Sequence, residues 1–251
     1  MSEFRQAIDR LAAAQKSSRG APAYSRFVNR PFGRVLAAAA YVMRLTPTQV
    51  TLLSGVATGA GILLIALVAP TWWSALLVSA LLVLGYALDS ADGQVARLTG
   101  TGSLAGEWLD HFFDATKQAT IHVAVLICWF RFYDLSDPWL LVPLVFGATA
   151  SVFFFGVVGA DLLRRINRLQ RPGLAEPAAA GPTSAIYSLA VMPADYGLLC
   201  IVFLTLWLPP VFVVIYTALA AINLLLLAAS SIRWYRSVGR AEAQATSGEA
   251  R

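Results

Sequence analysis

Six long apolar segments constrain this chain more than any other feature of its sequence. Each is about as long as the ~20 residues that a helix needs to cross the hydrocarbon core of a bilayer. They lie at roughly 48–69, 72–96, 104–131, 138–162, 186–207 and 210–233. Only 13% of the residues are charged, against about 25% in a typical soluble domain. The sequence therefore predicts an all-α, polytopic membrane bundle of six transmembrane helices.

Residues 1–34 differ from this bundle because they are polar and contain several arginines, and no apolar stretch of a signal peptide lies near the start. Arg26, Arg30 and Arg34 repeat at helical i, i+4 spacing with apolar side chains between them. This pattern predicts an amphipathic helix in the membrane interface before the first span. The chain thus divides into a cytoplasmic N-terminal segment (1–45), a six-helix transmembrane domain (46–235) and a tail (236–251) whose composition predicts disorder.

Basic residues recur at alternate connections between the apolar segments. Eight precede Thr46, four arginines follow the fourth segment and four follow the sixth, whereas the connections at Pro70 and Pro209 have none. The positive-inside rule then places both termini and the loops at 97–104 and 163–185 in the cytoplasm. We expect a multi-pass protein of the plasma membrane, and this charge distribution explains the net charge of +5 without a nucleic-acid partner.

Acidic residues are concentrated around the second and third segments. Five of the fourteen in the chain fall within 26 positions, namely Asp89, Asp92, Glu107, Asp110 and Asp114. Carboxylates at membrane depth are costly unless they face protein, water or a cation. Arg97 and Lys117 are too few to balance five of them, so the group predicts a bound divalent metal. Carboxylate oxygens suit Mg²⁺ or Mn²⁺.

The spacing of the aspartates predicts a single cluster. Asp89 and Asp92 lie at i, i+3 and share one helix face, and Asp110 and Asp114 do the same at i, i+4. The short connection between the two helices predicts antiparallel neighbours whose carboxylates meet at the same depth, near the cytoplasm. Small residues, Gly93, Ala96 and Gly106 among them, would leave room there for close helix approach or for a ligand.

These residues resemble the signature of the CDP-alcohol phosphotransferase family. They read Asp89-x-x-Asp92-Gly93-x-x-Ala96-Arg97, eight residues, Gly106, three residues, Asp110, three residues and Asp114. All eight positions stand at the family's spacing, so the match is specific. The resemblance implies an enzyme of phospholipid or related biosynthesis. It would move a substituted phosphate from a CDP-alcohol donor to a hydroxyl-bearing lipid or polar acceptor, release CMP, and form a homodimer.

The resemblance also implies a role for each position. It implies that a two-metal site holding Mg²⁺ or Mn²⁺ has as its ligands Asp89, Asp92, Asp110 and Asp114. Asp114 would in addition take the proton from the acceptor hydroxyl. It also implies that the nucleotide is bound by Gly93, Ala96, Arg97 and Gly106. Thr48 stands where the family often has asparagine, and its hydroxyl would replace that side chain.

Further side chains near the cluster suggest how the acceptor is recognised. Lys117, one turn beyond Asp114, would bind an acceptor phosphate or balance the carboxylates. Arg164 would bind the same phosphate or anchor the chain at the cytoplasmic face. Glu107 and His111 resemble the choline/ethanolamine branch of the family, although i, i+4 spacing also describes an ordinary helix-face pair.

Two other functions use carboxylates inside a membrane. Intramembrane prenyltransferases bind a prenyl diphosphate through Mg²⁺, usually with Asp motifs in two separated loops, and cation or proton transporters bury carboxylates at the midplane. The Gly-x-x-Ala-Arg extension after Asp92 favours the phosphotransferase. The products would distinguish the three: CMP, pyrophosphate or no reaction.

Overall fold

The computed structural model describes residues 3–13, 21–170 and 185–249, and all regular structure in these ranges is helical. Its α-helices are α1 (Glu3–Ala13), α2 (Arg30–Val42), α3 (Pro47–Leu67), α4 (Trp72–Thr99), α5 (Leu104–Phe132), α6 (Leu141–Gln170), α7 (Ala185–Ala190), α8 (Tyr196–Val202) and α9 (Pro209–Glu249). A π-helical turn (Ser25–Asn29) precedes α2. Short 3-10 turns precede α6 (Asp137–Leu140) and flank α8 (Met192–Ala194 and Phe203–Thr205). The remaining positions, including most of the polar connection 163–185, lie outside the described residues.

Within the described residues, four helices are long and apolar enough to cross a membrane: Pro47–Leu67, Trp72–Thr99, Asp137–Asn167 and Pro209–Gly239. Helix α5 is also long, at 29 residues, but its N-terminal half carries the charged cluster. The predicted fifth span, 186–207, is not one continuous helix. Pro193 lies in a 3-10 turn that separates α7 from α8, and Asp195 starts α8 by accepting a hydrogen bond from the backbone N–H of Gly197 at 3.0 Å.

Helices α3 and α4 form the central pair. Each begins with a reciprocal cap, Thr46 with Gln49 and Thr71 with Ser74. Their backbones approach closely at Gly85, whose carbonyl accepts a hydrogen bond from Ser54 Oγ at 2.8 Å. A methyl group at this position would collide with Thr58 Oγ1. Small residues thus bring together the two helices that carry Thr48 and the Asp89–Asp92 pair.

Helices α4 and α5 were expected to be antiparallel neighbours, but their backbones do not pack closely against each other. Helix α3 packs against both, while α4 and α5 make few close backbone contacts with each other. The chain leaves α4 at Gly100, in the left-handed conformation (φ +68°) that favours glycine, and Ser103 caps α5 through the N–H of Gly106 at 3.0 Å. Two helices with carboxylates on their facing sides repel unless space and cations lie between them. This separation is where the candidate site lies.

The opposite end of the bundle is an aromatic core. Trp129, Phe203, Phe212 and Tyr216 are completely buried and pack ring against ring. His122 belongs to this interior as well, with Nδ1 2.6 Å from Tyr216 Oη. These side chains join α5, α9 and the turn after α8 into one packed unit.

The two ends of the chain are helical where the structure describes them. Helix α1 is docked, since Ala7 and Leu11 are buried and Arg10 donates to the carbonyl of Leu98 at 3.2 Å. Helix α2 buries alanines against its neighbours while apolar side chains nearby, such as Phe32, are exposed; its interfacial location stays a prediction. The sequence predicted disorder over 236–251, but α9 continues to Glu249, as alanine and glutamate favour helix.

Candidate active site

A cavity of about 1150 Å³ opens where α3 begins, α4 ends and α5 begins. Most of the residues predicted for nucleotide and metal line it: Thr48, Asp92, Gly93, Ala96, Arg97, Gly106 and Asp110. The ends of these three helices therefore bring together residues from separate parts of the signature. Asp89 and Asp114 lie beside this cavity, deeper in the bundle, where Lys117 connects them.

Asp92 is the most firmly held carboxylate of the cluster. Only 6% of the residue is exposed, and its Oδ2 accepts a hydrogen bond from Thr51 Oγ1 at 2.6 Å. Its Oδ1 accepts from the backbone N–H of Gly93. Thr51 was not among the residues predicted for the site. It lies one helical turn beyond Thr48 on the same face of α3, and that spacing was the available signal.

Lys117 joins the two helices that carry the aspartates. Its Nζ lies 3.3 Å from Asp89 Oδ1 on α4 and forms an ion pair with Asp114 on α5. The residue is 8% exposed, and its amine lies 5.6 Å and 5.1 Å from the ring centres of Tyr86 and Tyr196. In this arrangement Lys117 balances the carboxylates; its binding of an acceptor phosphate stays a prediction.

Helix α5 carries three neighbouring side chains that could bind a metal ion. One ligand atom each from Asp110, His111 and Asp114 lies within 4.8 Å of the others. Nδ1 of His111 is buried and has no hydrogen-bond partner among the described residues. Carboxylate oxygens suit Mg²⁺ and Mn²⁺, and imidazole suits transition metals. The side chains present therefore fit a divalent cation.

The small residues of the signature keep space beside Arg97. A methyl group at Gly93 would lie 3.5 Å from Nη1 of that arginine, and one at Gly106 would lie 3.2 Å from Ser103 Oγ. Larger side chains would narrow the cavity at both points. Arg97 itself lines the cavity and can present a guanidinium to an anionic ligand.

The arginines near the end of α6 make different contacts, and the predicted role of Arg164 stays a prediction. Arg164 forms an exposed pair with Asp161 at 3.6 Å and is not among the cavity-lining residues. Its neighbour Arg165 instead reaches Glu107 at 2.8 Å, and Glu107 lines the cavity. The sequence predicted only that these residues lie on the same side of the membrane, and this was the available signal for the pair.

Asp195 is a further buried carboxylate that sequence reasoning did not place. It is 3% exposed and accepts hydrogen bonds from the N–H of Ser25 at 2.7 Å and from Tyr86 Oη at 3.4 Å. It therefore connects the segment before α2 with α4 and α8. Because Tyr86 also packs near Lys117, Asp195 supports the aromatic side of the site.

A bundle of long apolar helices that gathers carboxylates and arginines at one end defines a polytopic membrane protein with an acidic site. The sequence model of the CDP-alcohol phosphatidyltransferase family matches residues 44–229. The chain belongs to this family and is therefore an enzyme of the CDP-alcohol phosphotransferase class, which confirms the resemblance. The family match favours the phosphotransferase over the prenyltransferase and transporter alternatives.

The fold is similar to a solved member of this class. The crystal structure of Mycobacterium tuberculosis phosphatidylinositol phosphate synthase with CDP-DAG bound matches with a TM-score of 0.52 and 19% sequence identity. The match covers 84% of this chain and 93% of that one. At this identity the likeness concerns the fold alone. Comparison with curated protein sequences gives no significant match.

Proposed function

We propose that this enzyme transfers a substituted phosphate group from a CDP-alcohol to a hydroxyl acceptor, releases CMP, and depends on divalent metal. The observation that carries the proposal is the convergence of the four signature aspartates. Asp92 and Asp110 line one cavity, and Asp89 and Asp114 share the amine of Lys117 beside it. A metal-assisted phosphoryl transfer needs this concentration of carboxylates around a polyphosphate.

Asp89, Asp92, Asp110 and Asp114 are the proposed ligands of a site for two Mg²⁺ or Mn²⁺ ions. Bound metal would neutralise the donor phosphates and stabilise charge on the attacking and leaving oxygens. Thr51 and the N–H of Gly93 orient Asp92 for this role. Lys117 holds Asp89 and Asp114 near one another.

Asp114 is the proposed base. The acceptor hydroxyl oxygen forms a bond to the β-phosphorus of the donor, and the bond from that phosphorus to the bridging oxygen breaks. CMP leaves with the electron pair, and a carboxylate oxygen of Asp114 accepts the hydroxyl proton. Asp114 suits this position because it is partly accessible, with its side chain 23% exposed.

The cavity wall formed by Thr48, Gly93, Ala96, Arg97 and Gly106 is the proposed nucleotide site. Its small residues allow a ribose and base to approach the backbone, and Arg97 supplies positive charge. CDP-DAG in the similar mycobacterial structure supports a phosphatidyl donor. For an acceptor that carries phosphate, Lys117 and Arg164 stay candidate contacts.

The proposed topology has six crossings, with α5 and the interrupted segment 186–207 joining the four long apolar helices. The basic residues at alternate connections support a cytoplasmic position for both termini and for the site, in the plasma membrane. Carboxylates of α5 would then face the cavity rather than lipid. A homodimer stays an expectation from the family.

Release of CMP by the purified protein in nanodiscs tests the proposal. CDP-diacylglycerol, CDP-choline and CDP-ethanolamine are supplied separately, each with panels of polar and lipid hydroxyl acceptors. We expect CMP from one donor class with Mg²⁺ or Mn²⁺, and none with EDTA. Release from CDP-diacylglycerol would make the enzyme a phosphatidyltransferase. Release that continues in EDTA would contradict the metal site, and pyrophosphate from a prenyl diphosphate would contradict the donor class.

A further inference from the structure

Arg44 has the most unusual backbone conformation in the described part of the chain. Its φ is +57°, and no other described residue besides glycine has a positive φ. Residues with a Cβ atom are strained in this left-handed region, because Cβ comes too close to the following carbonyl oxygen. Glycine is the usual residue where a helix ends in this way.

The helix ending itself does not need an arginine. The N–H of Arg44 donates to the carbonyl of Tyr41 at 3.0 Å, and the N–H of Leu45 donates to that of Ala40 at 2.9 Å. Both bonds belong to the backbone, so glycine would form them without strain. The side chain at position 44 therefore calls for a separate explanation.

That side chain lines the candidate active site. Arg44 and Arg97 are the basic residues in the wall of the cavity, against four acidic ones, namely Glu3, Asp92, Glu107 and Asp110. No ion pair is formed by the Arg44 guanidinium within the described residues. If carboxylates are committed to metal, the remaining charge of a nucleotide diphosphate must be met by these two guanidinium groups.

Position 44 also extends a row of side chains that leads to the carboxylates. Thr51 bonds Asp92 at 2.6 Å, and Thr48 lies one turn before it on α3. Both lie in the wall of the cavity with Arg44, which comes just before the helix begins. A ligand that runs along this row would have its metal-bound end at Thr51 and its other charged groups within reach of Arg44.

We infer that Arg44 binds the phosphates of the nucleotide part of the donor, and that the strained backbone is retained because this position must carry a guanidinium. Guanidinium forms paired, charge-assisted hydrogen bonds with phosphate oxygens. The inference rests on the proposed function, since it takes a CDP-alcohol as the occupant of the cavity. It adds to the signature a binding residue that lies outside it.

The variant Arg44→Gly separates ligand binding from the helix ending. CDP affinity is measured with Mg²⁺ by calorimetry in nanodiscs, and the thermal unfolding midpoint is measured without ligand. We expect at least about ten-fold weaker CDP binding together with an unchanged or higher midpoint, because glycine relieves strain. Asparagine tolerates the same backbone conformation, so Arg44→Asn should also weaken CDP binding without lowering the midpoint. Arg5→Gln removes an equal charge from an exposed position of α1 and should leave both quantities unchanged.

The remaining outcomes are distinguishable. Wild-type affinity for CDP in both position-44 variants would overturn the inference and leave the proposed function intact. A loss of equal size for cytidine and for CDP would also overturn it, since the contact would then be to the nucleoside. If the wild-type protein binds no CDP, the proposed function itself is wrong.

Discussion

The two halves of α5 lie in different surroundings, one in the polar candidate site and the other in the buried core. Its N-terminal half presents Asp110 to the cavity, and Asp114 and Lys117 form an ion pair beside it. Its C-terminal half packs Ile121, Val125 and Trp129 at 0% exposure into the aromatic core. The same helix thus carries the candidate chemistry at one end and the tightest packing at the other.

Helix α4 shows the same division in the reverse direction. Val78 and Leu82 lie in the core cluster, whereas Asp89 and Asp92 lie at the site. Since α4 and α5 run in opposite directions, their polar halves meet at one end of the bundle. Stability and chemistry are thus placed at different depths. Substitutions at the polar end should therefore change mainly the turnover, and substitutions at the packed end should change mainly the stability.

Asp114→Asn should produce the largest effect and confine it to chemistry. The amide cannot accept the proton and is a poorer metal ligand, so we expect CMP release to fall by about 10⁴-fold. Release is measured under saturating donor and Mg²⁺, with size-exclusion chromatography to establish folding. Asp134→Asn, an exposed aspartate after α5, is the matched control and should keep wild-type turnover. A loss below about ten-fold at position 114 would remove the proposed base.

Trp129→Ala should produce the converse result. Deleting a fully buried indole leaves a cavity, which costs about 3–5 kcal/mol of stability. The unfolding midpoint in detergent should fall accordingly, while turnover per folded molecule stays within about two-fold. Trp73→Ala at an exposed position controls for loss of an indole. If Trp129→Ala lowered turnover strongly at unchanged stability, the separation of the two ends would be wrong.

Lys117→Met tests the boundary between the two regions. The substitution leaves Asp89 and Asp114 close together without their shared cation, and removal of one partner from a buried pair costs about 3 kcal/mol. A bound metal would partly replace the missing charge. The loss in unfolding midpoint should therefore be larger in EDTA than in saturating Mg²⁺.

Lys117→Arg supplies the conservative control for this experiment, because it keeps the charge on a longer side chain. It should recover much of the stability in EDTA. Equal losses for Lys117→Met with and without metal would show that the amine and the metal do not act on the same carboxylates.

Local spacing in the sequence was enough to predict much of the candidate site. Positions three or four apart share a helix face, so the pairs Asp89–Asp92 and Asp110–Asp114 had to project together. Apolar segments and alternating basic residues predicted the membrane bundle. These features depend on helical geometry and bilayer thickness alone, which the sequence expresses directly.

Features that depend on packing between helices could not be predicted in this way. The position of α3 between α4 and α5 depends on the close approach at Gly85, and the partner of Glu107 depends on where α6 ends. The apolar residues on both sides of Pro193 led to the prediction of one span, although Pro193 and Asp195 are local signals for the break before α8. The contact of Lys117 with Asp89 joins two separate helices and has no local signal.

Thr51→Val should produce the smallest effect. It tests whether α3 positions a carboxylate of α4 within the site. Valine keeps the shape of threonine but cannot donate to Asp92 Oδ2. A hydrogen bond to a carboxylate is worth roughly 1.5–3 kcal/mol, so we expect the dissociation constant for Mn²⁺ to rise about ten-fold. Electron paramagnetic resonance titration of Mn²⁺ measures this without turnover.

Thr120→Val is the matched control for this substitution. Thr51 Oγ1 bonds both the carbonyl of Pro47 at 3.1 Å and Asp92, whereas exposed Thr120 bonds the carbonyl of Thr116 at 2.7 Å. The control therefore loses the same kind of bond within its helix but leaves Asp92 untouched, and Mn²⁺ affinity should not change. Equal Mn²⁺ affinity in both variants would mean that Asp92 is held by its backbone contact and its helix. Weaker binding in Thr51→Val alone would show that α3 positions a metal ligand on α4.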